Sequence, residues 1–310
     1  MNFKKASIGT IIIFAIILTF GIFSESSYAL RKIFKIISVN YRTSFRSQTT
    51  TNKGNIPEEH QGKLQLFILA GQSNMAGMGD LSTSKIVTNP RIYVFGNDYH
   101  WKLATEPIDD ATNQVDIVSK DLDAGFSPAM SFATTILEQH PDMLVGLIPC
   151  AKGGSSIYEW QRNLADNTLY GSCLKRVRVA SSMGNVASLL FFQGEIDTVD
   201  PTKEFPKKIL LPNQWADKFK VFVQNWRNDL NLPTLPVVFA QIGTNTEPER
   251  FINWAVVKEQ QRQVRLPFSA MITTDDLALK DYVHFSTESY QIIGQRFAQA
   301  YLELLLEMKR

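Results

Sequence analysis

Ser73 stands in the segment Gly71-Gln72-Ser73-Asn74-Met75, directly behind the apolar run Leu64–Ala70. A serine held on a tight turn between a strand and a helix exposes its hydroxyl, and its amide lies at a helix N-terminus, where negative charge is stabilised. A turn serine or a helix cap would look the same in isolation. A hydroxyl also needs a base before it attacks anything. Beyond the first sixty residues the histidines are His100, His140 and His284. His140 precedes a proline in what reads as a helix-to-strand loop, at the wrong edge of a sheet. His100 sits between Tyr99 and Trp101, where packing is the simpler role. His284 follows Asp281 by three positions. That spacing lets one loop carry both carboxylate and imidazole, so that Asp281 fixes the tautomer of the base.

Two further segments supply groups that acyl transfer requires. Gly153-Gly154-Ser155 follows the run Leu144–Pro149, and paired glycines let a turn present backbone N–H groups to an oxyanion. A plain turn or a phosphate-binding loop fits the glycines equally well, but the Gly-Lys-Ser/Thr order of a P-loop is absent, and Gly77-Met78-Gly79 does not make a dinucleotide fingerprint. Gln193-Gly194-Glu195-Ile196-Asp197 follows the run Ala187–Phe192. The Gln193 amide can add an oxyanion donor. Glu195 and Asp197 read as anchors for loop backbone, or alternatively as the carboxylate pair of a glycosidase. No histidine or cysteine has the spacing of a metal ligand set, and no cofactor is implied.

The elements that must place these residues are legible as an alternation. Short apolar runs at Leu64–Ala70, Ile92–Phe95, Leu144–Pro149, Ala187–Phe192, Pro236–Ile242 and Ser269–Thr273 read as buried parallel strands. Amphipathic stretches at Pro128–Gln139, Gln214–Leu230, Phe251–Arg265 and Thr287–Leu305 read as helices. Ser127 and Pro128 suit the start of the first, and acidic residues (Glu247, Glu249 and Glu288) suit the starts of the last two. The alternation predicts an α/β sandwich with one open sheet, in which function gathers at the carboxyl ends of the strands. All four polar segments lie at such ends or just beyond.

Composition limits the partners. With 44 % hydrophobic residues in 310 and a formal net charge of +2, the chain builds an enzyme-sized domain and offers no strong field to nucleic acid. Lys4 and Lys5, the uncharged run Ile8–Phe23 and the small residues Ser27 and Ala29 predict, over residues 1–29, a secretory signal peptide or a membrane anchor. Residues 30–62 are basic and polar and read as a linker, which sets the domain at 63–310. The chain is then exported, periplasmic or secreted, or held at a membrane by residues 8–23. Cys150 and Cys173 could form a disulfide after export or stay reduced.

Taken in order, Gly71-Gln72-Ser73-Asn74-Met75, Gly153-Gly154-Ser155 with Trp160 after it, Gln193-Gly194-Glu195-x-Asp197 and Asp281-x-x-His284 resemble the sialate O-acetylesterase-like domain. This group includes carbohydrate esterase family 6, a branch of the SGNH (GDSL-like) hydrolases. The resemblance spans about Leu64 to Leu304. It implies a three-layer, flavodoxin-like α/β/α sandwich with a mostly parallel sheet, and hydrolysis of acetyl esters on carbohydrate or another small acetyl ester. It implies Ser73 as nucleophile, His284 as base, Asp281 as its partner, and an oxyanion hole from the Ser73 and Gly154 amides with the Gln193 side chain. Gln72, Asn74, Glu195 and Asp197 would support them. Departures are Phe192 where Tyr is common and Gly125-Phe126-Ser127-Pro128 where relatives often carry Gly-Pro-Gly. An α/β-hydrolase lipase would need Gly-x-Ser-x-Gly, and position 75 is Met. A non-catalytic carbohydrate-binding protein on the same fold is the alternative outside enzymes.

Overall fold

The computed structural model describes residues 56–82 and 88–310. The signal or anchor expected at 1–29 and most of the expected linker lie outside the described residues. Among the described residues, no helix is long and apolar enough to cross a membrane. Packing begins ahead of Lys63: Ile56 is buried in the main core, and the Gln61 side chain donates to its carbonyl.

Seven strands form one sheet: β1 (Leu64–Gly71), β2 (Ile92–Phe95), β3 (Trp101–Leu103), β4 (Val145–Pro149), β5 (Gly184–Phe192), β6 (Val237–Ala240) and β7 (Ser269–Ile272). Their order is β3-β2-β4-β1-β5-β6-β7, parallel throughout except for the β2–β3 pair. Along β1, Leu66, Ile68 and Ala70 enter one core while Phe67 and Leu69 enter the other. This is the two-sided burial that makes parallel strands continuously apolar. Helices α3 (Leu169–Ala180) and α4 (Trp215–Leu230) cover the first face, joined by α5 (Trp254–Arg262) through Val257; α2 (Ala129–Gln139) and α6 (Thr287–Met308) cover the second. The result is the expected three-layer α/β/α sandwich. A short helix α1 (Ser73–Ala76) follows β1. Because β4 and β5 flank β1 on opposite sides, the chain reverses its direction of travel across the sheet at β1. Such a switch point opens a crevice at the strand ends.

Every expected strand is present, and β3 is added as a three-residue edge strand too short to show periodicity. Helix α3 is also additional. Its Thr168 cap accepts from the Gly171 amide, but Arg176 occupies a buried position and breaks the apolar stripe that would have revealed it. Helix α5 starts at Trp254 rather than Phe251, because the Asn253 amide turns aside to donate to the Thr198 carbonyl. Glu247 pairs with Arg250 instead of capping that helix. His100 does not pack: its side chain is 74 % exposed, with Nδ1 against the Asp98 carbonyl.

Cys150, the residue after β4, is joined to Cys173 on α3, with Cα atoms 5.5 Å apart. Both are buried. The bridge closes a loop with a sequence separation of 23, so replacing both cysteines by alanine should lower unfolding free energy by about 3 kcal/mol. Denaturant titration reads that loss, and the chain should show no reactive thiol, folded or unfolded, until a reductant cleaves the bridge.

Candidate active site

The carboxyl ends of β1, β4 and β5 are flush: Gly71 pairs with Phe192, and Leu69 with Pro149. Ser73 therefore emerges between the Gly153-Gly154 turn and the Gln193 loop. The residues beyond β7 return across this edge, and a bridge between Leu279 and Phe285 closes the loop that carries Asp281 and His284 into a narrow turn. His284 Nε2 lies 2.9 Å from Ser73 Oγ, and His284 Nδ1 lies 2.7 Å from Asp281 Oδ2. The second Asp281 oxygen accepts from the Val283 and His284 amides at 3.0 and 2.8 Å. Partial burial alone would raise the Asp281 carboxyl. The His284 hydrogen bond and those two amides outweigh it and hold the group down at about 2. Ser73 and the His284 side chain are 8 and 11 % exposed, open enough for a substrate and sheltered enough to strengthen electrostatics.

The turn after β4 spends its amides selectively. Lys152 N–H donates to the Gly71 carbonyl at 2.9 Å, Gly153 N–H to Asp121 Oδ2 at 2.7 Å, and Ser155 N–H to the Lys152 carbonyl at 3.2 Å. Among the described residues, the Gly154 amide has no protein acceptor, and neither has the Ser73 amide. The two glycines answer different constraints. Gly154 has φ +66°, in the left-handed region, with open space where a Cβ would stand; a Cβ on Gly153 would meet Asp121 Oδ2 at 2.4 Å.

Gln193 departs from expectation. Its side chain is fully buried, and Nε2 donates to Asp197 Oδ2 at 2.6 Å and to the Ser155 carbonyl at 3.0 Å, while Oε1 accepts from Trp215 Nε1 at 2.8 Å. Both amide hydrogens are thus engaged within the protein. Gln193 braces the two loops and is not offered to an oxyanion. Asp197 takes up the anchoring role expected of it, accepting from the Ile157 and Leu211 amides. Burial pushes it up to about 6 against those bonds. Glu195, also buried and raised mainly by burial, accepts from Asn74 Nδ2 at 2.5 Å. Sealed from solvent and bonded internally, the two carboxyls do not form a glycosidase pair. Asn74 also donates to the Val283 carbonyl and accepts from the Tyr290 hydroxyl, tying the residue beside Ser73 to the loop that carries His284. Gln72 Oε1 receives the Gly194 and Ile196 amides at 3.3 and 3.4 Å.

Several contributors left no local signal in the sequence. Trp215, Tyr290 and Asp121 reach the site from distant segments. The Arg250 guanidinium, gripped by Glu204, lies 4.7 Å over the ring of Tyr282, between Asp281 and His284 in the chain. The departing Gly125–Pro128 segment bonds the stretch after α1, through Gly125 N–H to the Gly77 carbonyl and the Gly79–Phe126 bridge. His140 sits at the end of α2, beyond the opposite edge of the sheet.

Residues 63–303 match the family described as carbohydrate esterase, sialic acid-specific acetylesterase. The chain belongs to this family. It is therefore a carboxylic ester hydrolase, as the resemblance implied. A probable carbohydrate esterase of Arabidopsis thaliana is 30 % identical over 258 residues, 77 % of this chain and 90 % of that protein. The Arabidopsis crystal structure superposes with a TM-score of 0.64 at 30 % identity, covering 78 % of this chain and 98 % of that one. NanS (TM-score 0.59, 16 % identity, 80 and 99 % covered) and a carbohydrate acetylesterase from Xanthomonas citri (0.56, 18 %, 77 and 56 %) share the fold.

Two outcomes follow for this esterase. Gln193→Ala strands Trp215 Nε1 in the interior and takes one of its donors from Asp197 Oδ2, so stability should fall by about 2–4 kcal/mol, read as a lower melting temperature. Burial also raises Glu106 to about 8 and Asp109 to about 7, as it raises Asp197 to about 6. A carboxyl raised by folding binds protons more tightly in the native state than in the unfolded one. Its contribution is thus fullest below the unfolded value near 4 and declines as pH climbs to the folded value. Unfolding free energy should decrease between about pH 4 and pH 8, and chemical denaturation at pH 5 and pH 8 measures it.

Proposed function

We propose that the chain removes O-acetyl groups from carbohydrate by an acyl-enzyme route, with Ser73 as nucleophile, His284 as general base and Asp281 as its orienting partner. The observation that carries this reading is the continuous relay from Ser73 Oγ through His284 to Asp281, at 2.9 and 2.7 Å, beside two amides without protein acceptors. The carbohydrate part of the reading is supported by family membership and by the name of the Arabidopsis relative.

In the first half-reaction Ser73 Oγ attacks the acetyl carbonyl carbon and His284 Nε2 takes the hydroxyl proton. The carbonyl electron pair moves onto oxygen, where the Ser73 and Gly154 amides receive it. Asp281 accepts from Nδ1–H, which leaves Nε2 as the free lone pair, and its charge stabilises the imidazolium. The tetrahedral adduct collapses, the C–O bond to the sugar breaks, and His284 returns its proton to the departing alkoxide. Water then repeats the sequence on acetyl-Ser73, releasing acetate and restoring the hydroxyl. Every proton taken is returned, so no cofactor enters the balance.

Ser73→Ala should lower kcat on 4-nitrophenyl acetate by about 10⁴-fold or more while the fold is kept. His284→Ala should do nearly the same, whereas His140→Ala, at the far edge, should leave kcat unchanged. A folded Ser73→Ala variant with most of its kcat would overturn the assignment. Release of acetate from acetylated xylan oligosaccharides and from O-acetylated sialic acid, compared side by side, identifies the sugar.

A further inference from the structure

We propose that Asp121 is a positioning residue for the oxyanion hole: its carboxylate fixes the Gly153 amide so that the next amide, Gly154 N–H, is aimed at the developing charge. Asp121 lies 32 positions before Gly153 in the chain, outside all four polar segments. Its side chain is nevertheless buried at the strand ends, with Oδ2 at 2.7 Å from Gly153 N and Oδ1 at 3.3 Å from Asp123 N.

The geometry of the turn makes this contact decisive. An amide N–H points where its peptide plane points, and that plane is set by the residues on either side of it. The plane holding Gly154 N–H lies between Gly153, held by Asp121, and Ser155, held by the Lys152 carbonyl. Gly153 and Gly154 carry no Cβ to restrict rotation there. Without Asp121, Gly153 N–H would have to find another acceptor, and the simplest way is for the Lys152–Gly153 plane to turn, which the two glycines pass on to the plane that holds Gly154 N–H. The missing Cβ of Gly153 also serves the contact directly, since any side chain there would collide with Asp121 Oδ2. A reciprocal bond, Lys152 Nζ to the Lys120 carbonyl at 2.6 Å, holds the same two segments together. Donors for a transition state are effective to the extent that they are fixed in advance.

The proposal rests on Ser73 and Gly154 forming the oxyanion site, and the experiment separates the two readings. Asp121→Ala should lower kcat for an acetyl ester by about tenfold or more with KM within about threefold, since the interaction matters only in the transition state. Asp121→Asn keeps an acceptor oxygen and should restore kcat to within a few-fold. In parallel, Asp121→Ala should weaken methaneboronic acid, which becomes tetrahedral on Ser73 Oγ, by about tenfold or more. It should leave the affinity for planar acetate nearly unchanged. If Asp121→Ala lowers only the melting temperature while the folded enzyme keeps wild-type kcat and boronate affinity, Asp121 is a structural brace and the proposal fails alone. If Asp121→Asn is as impaired as Asp121→Ala, the acceptor argument fails. If Ser73→Ala retains the activity, the underlying reading falls and this proposal falls with it.

Discussion

A serine hydroxyl attacks an ester only when an imidazole can take its proton within hydrogen-bond range, and here that 2.9 Å contact joins residues 211 positions apart. Neither residue can be placed by local structure alone. Ser73 is fixed because β1 lies between β4 and β5, with two parallel ladders setting where the strand ends. His284 is fixed because its loop is clamped twice: its own carboxylate partner binds the loop amides, and Asn74 holds the Val283 carbonyl. The parallel sheet is thus the device that converts a sequence separation into a bonding distance. The loops complete the last few ångströms.

Those loops are held by buried polar groups, which is an expensive way to build. Gln72, Asn74, Gln193, Glu195 and Asp197 are all nearly or fully sealed from water, and each polar atom left unpaired there would be costly. The bonds among them are therefore strongly interdependent. Removing one member exposes the desolvation cost of its neighbours rather than the modest net value of a hydrogen bond. Among the described residues, one Glu195 oxygen has no hydrogen-bond partner. Burial raises the Glu195 carboxyl, and the hydrogen bond from Asn74 works against that rise.

That Ser73, Asp281 and His284 come together was legible because chemistry restricts residue type and the α/β alternation restricts place. A nucleophilic serine is expected directly behind a strand, and of His100 and His284, which both follow strand ends, only His284 has a carboxylate three residues ahead of it. Gln193 shows the limit of that logic. Its position after β5 fixes where its backbone emerges, but the direction of its amide depends on Asp197 and Trp215, and Trp215 belongs to a helix that sequence periodicity cannot orient at this precision. Helix α3 failed for a related reason. Arg176, bonded inside the core to Asp116, Asn97 and the Pro149 carbonyl, occupies a position where periodicity demands an apolar residue. Tertiary partners, absent from any local window, made a buried arginine tolerable.

The same arginine bears on the turn after β4. Pro149 accepts from Arg176, Cys150 is linked to Cys173 on the same helix, Lys152 binds Gly71, and Ser155 donates its hydroxyl to Gly71 while receiving Trp160 Nε1. Anchors at successive residues leave the turn almost no freedom except at the two glycines, where backbone torsions are least restricted. A rigid frame around a soft pair is a poor oxyanion site if the pair is left free, because the donor must then be ordered during the reaction. Fixing the soft pair from outside the turn removes that cost before substrate arrives. The architecture thus calls for an acceptor facing Gly153, and the long β3–α2 connection is the segment that supplies one.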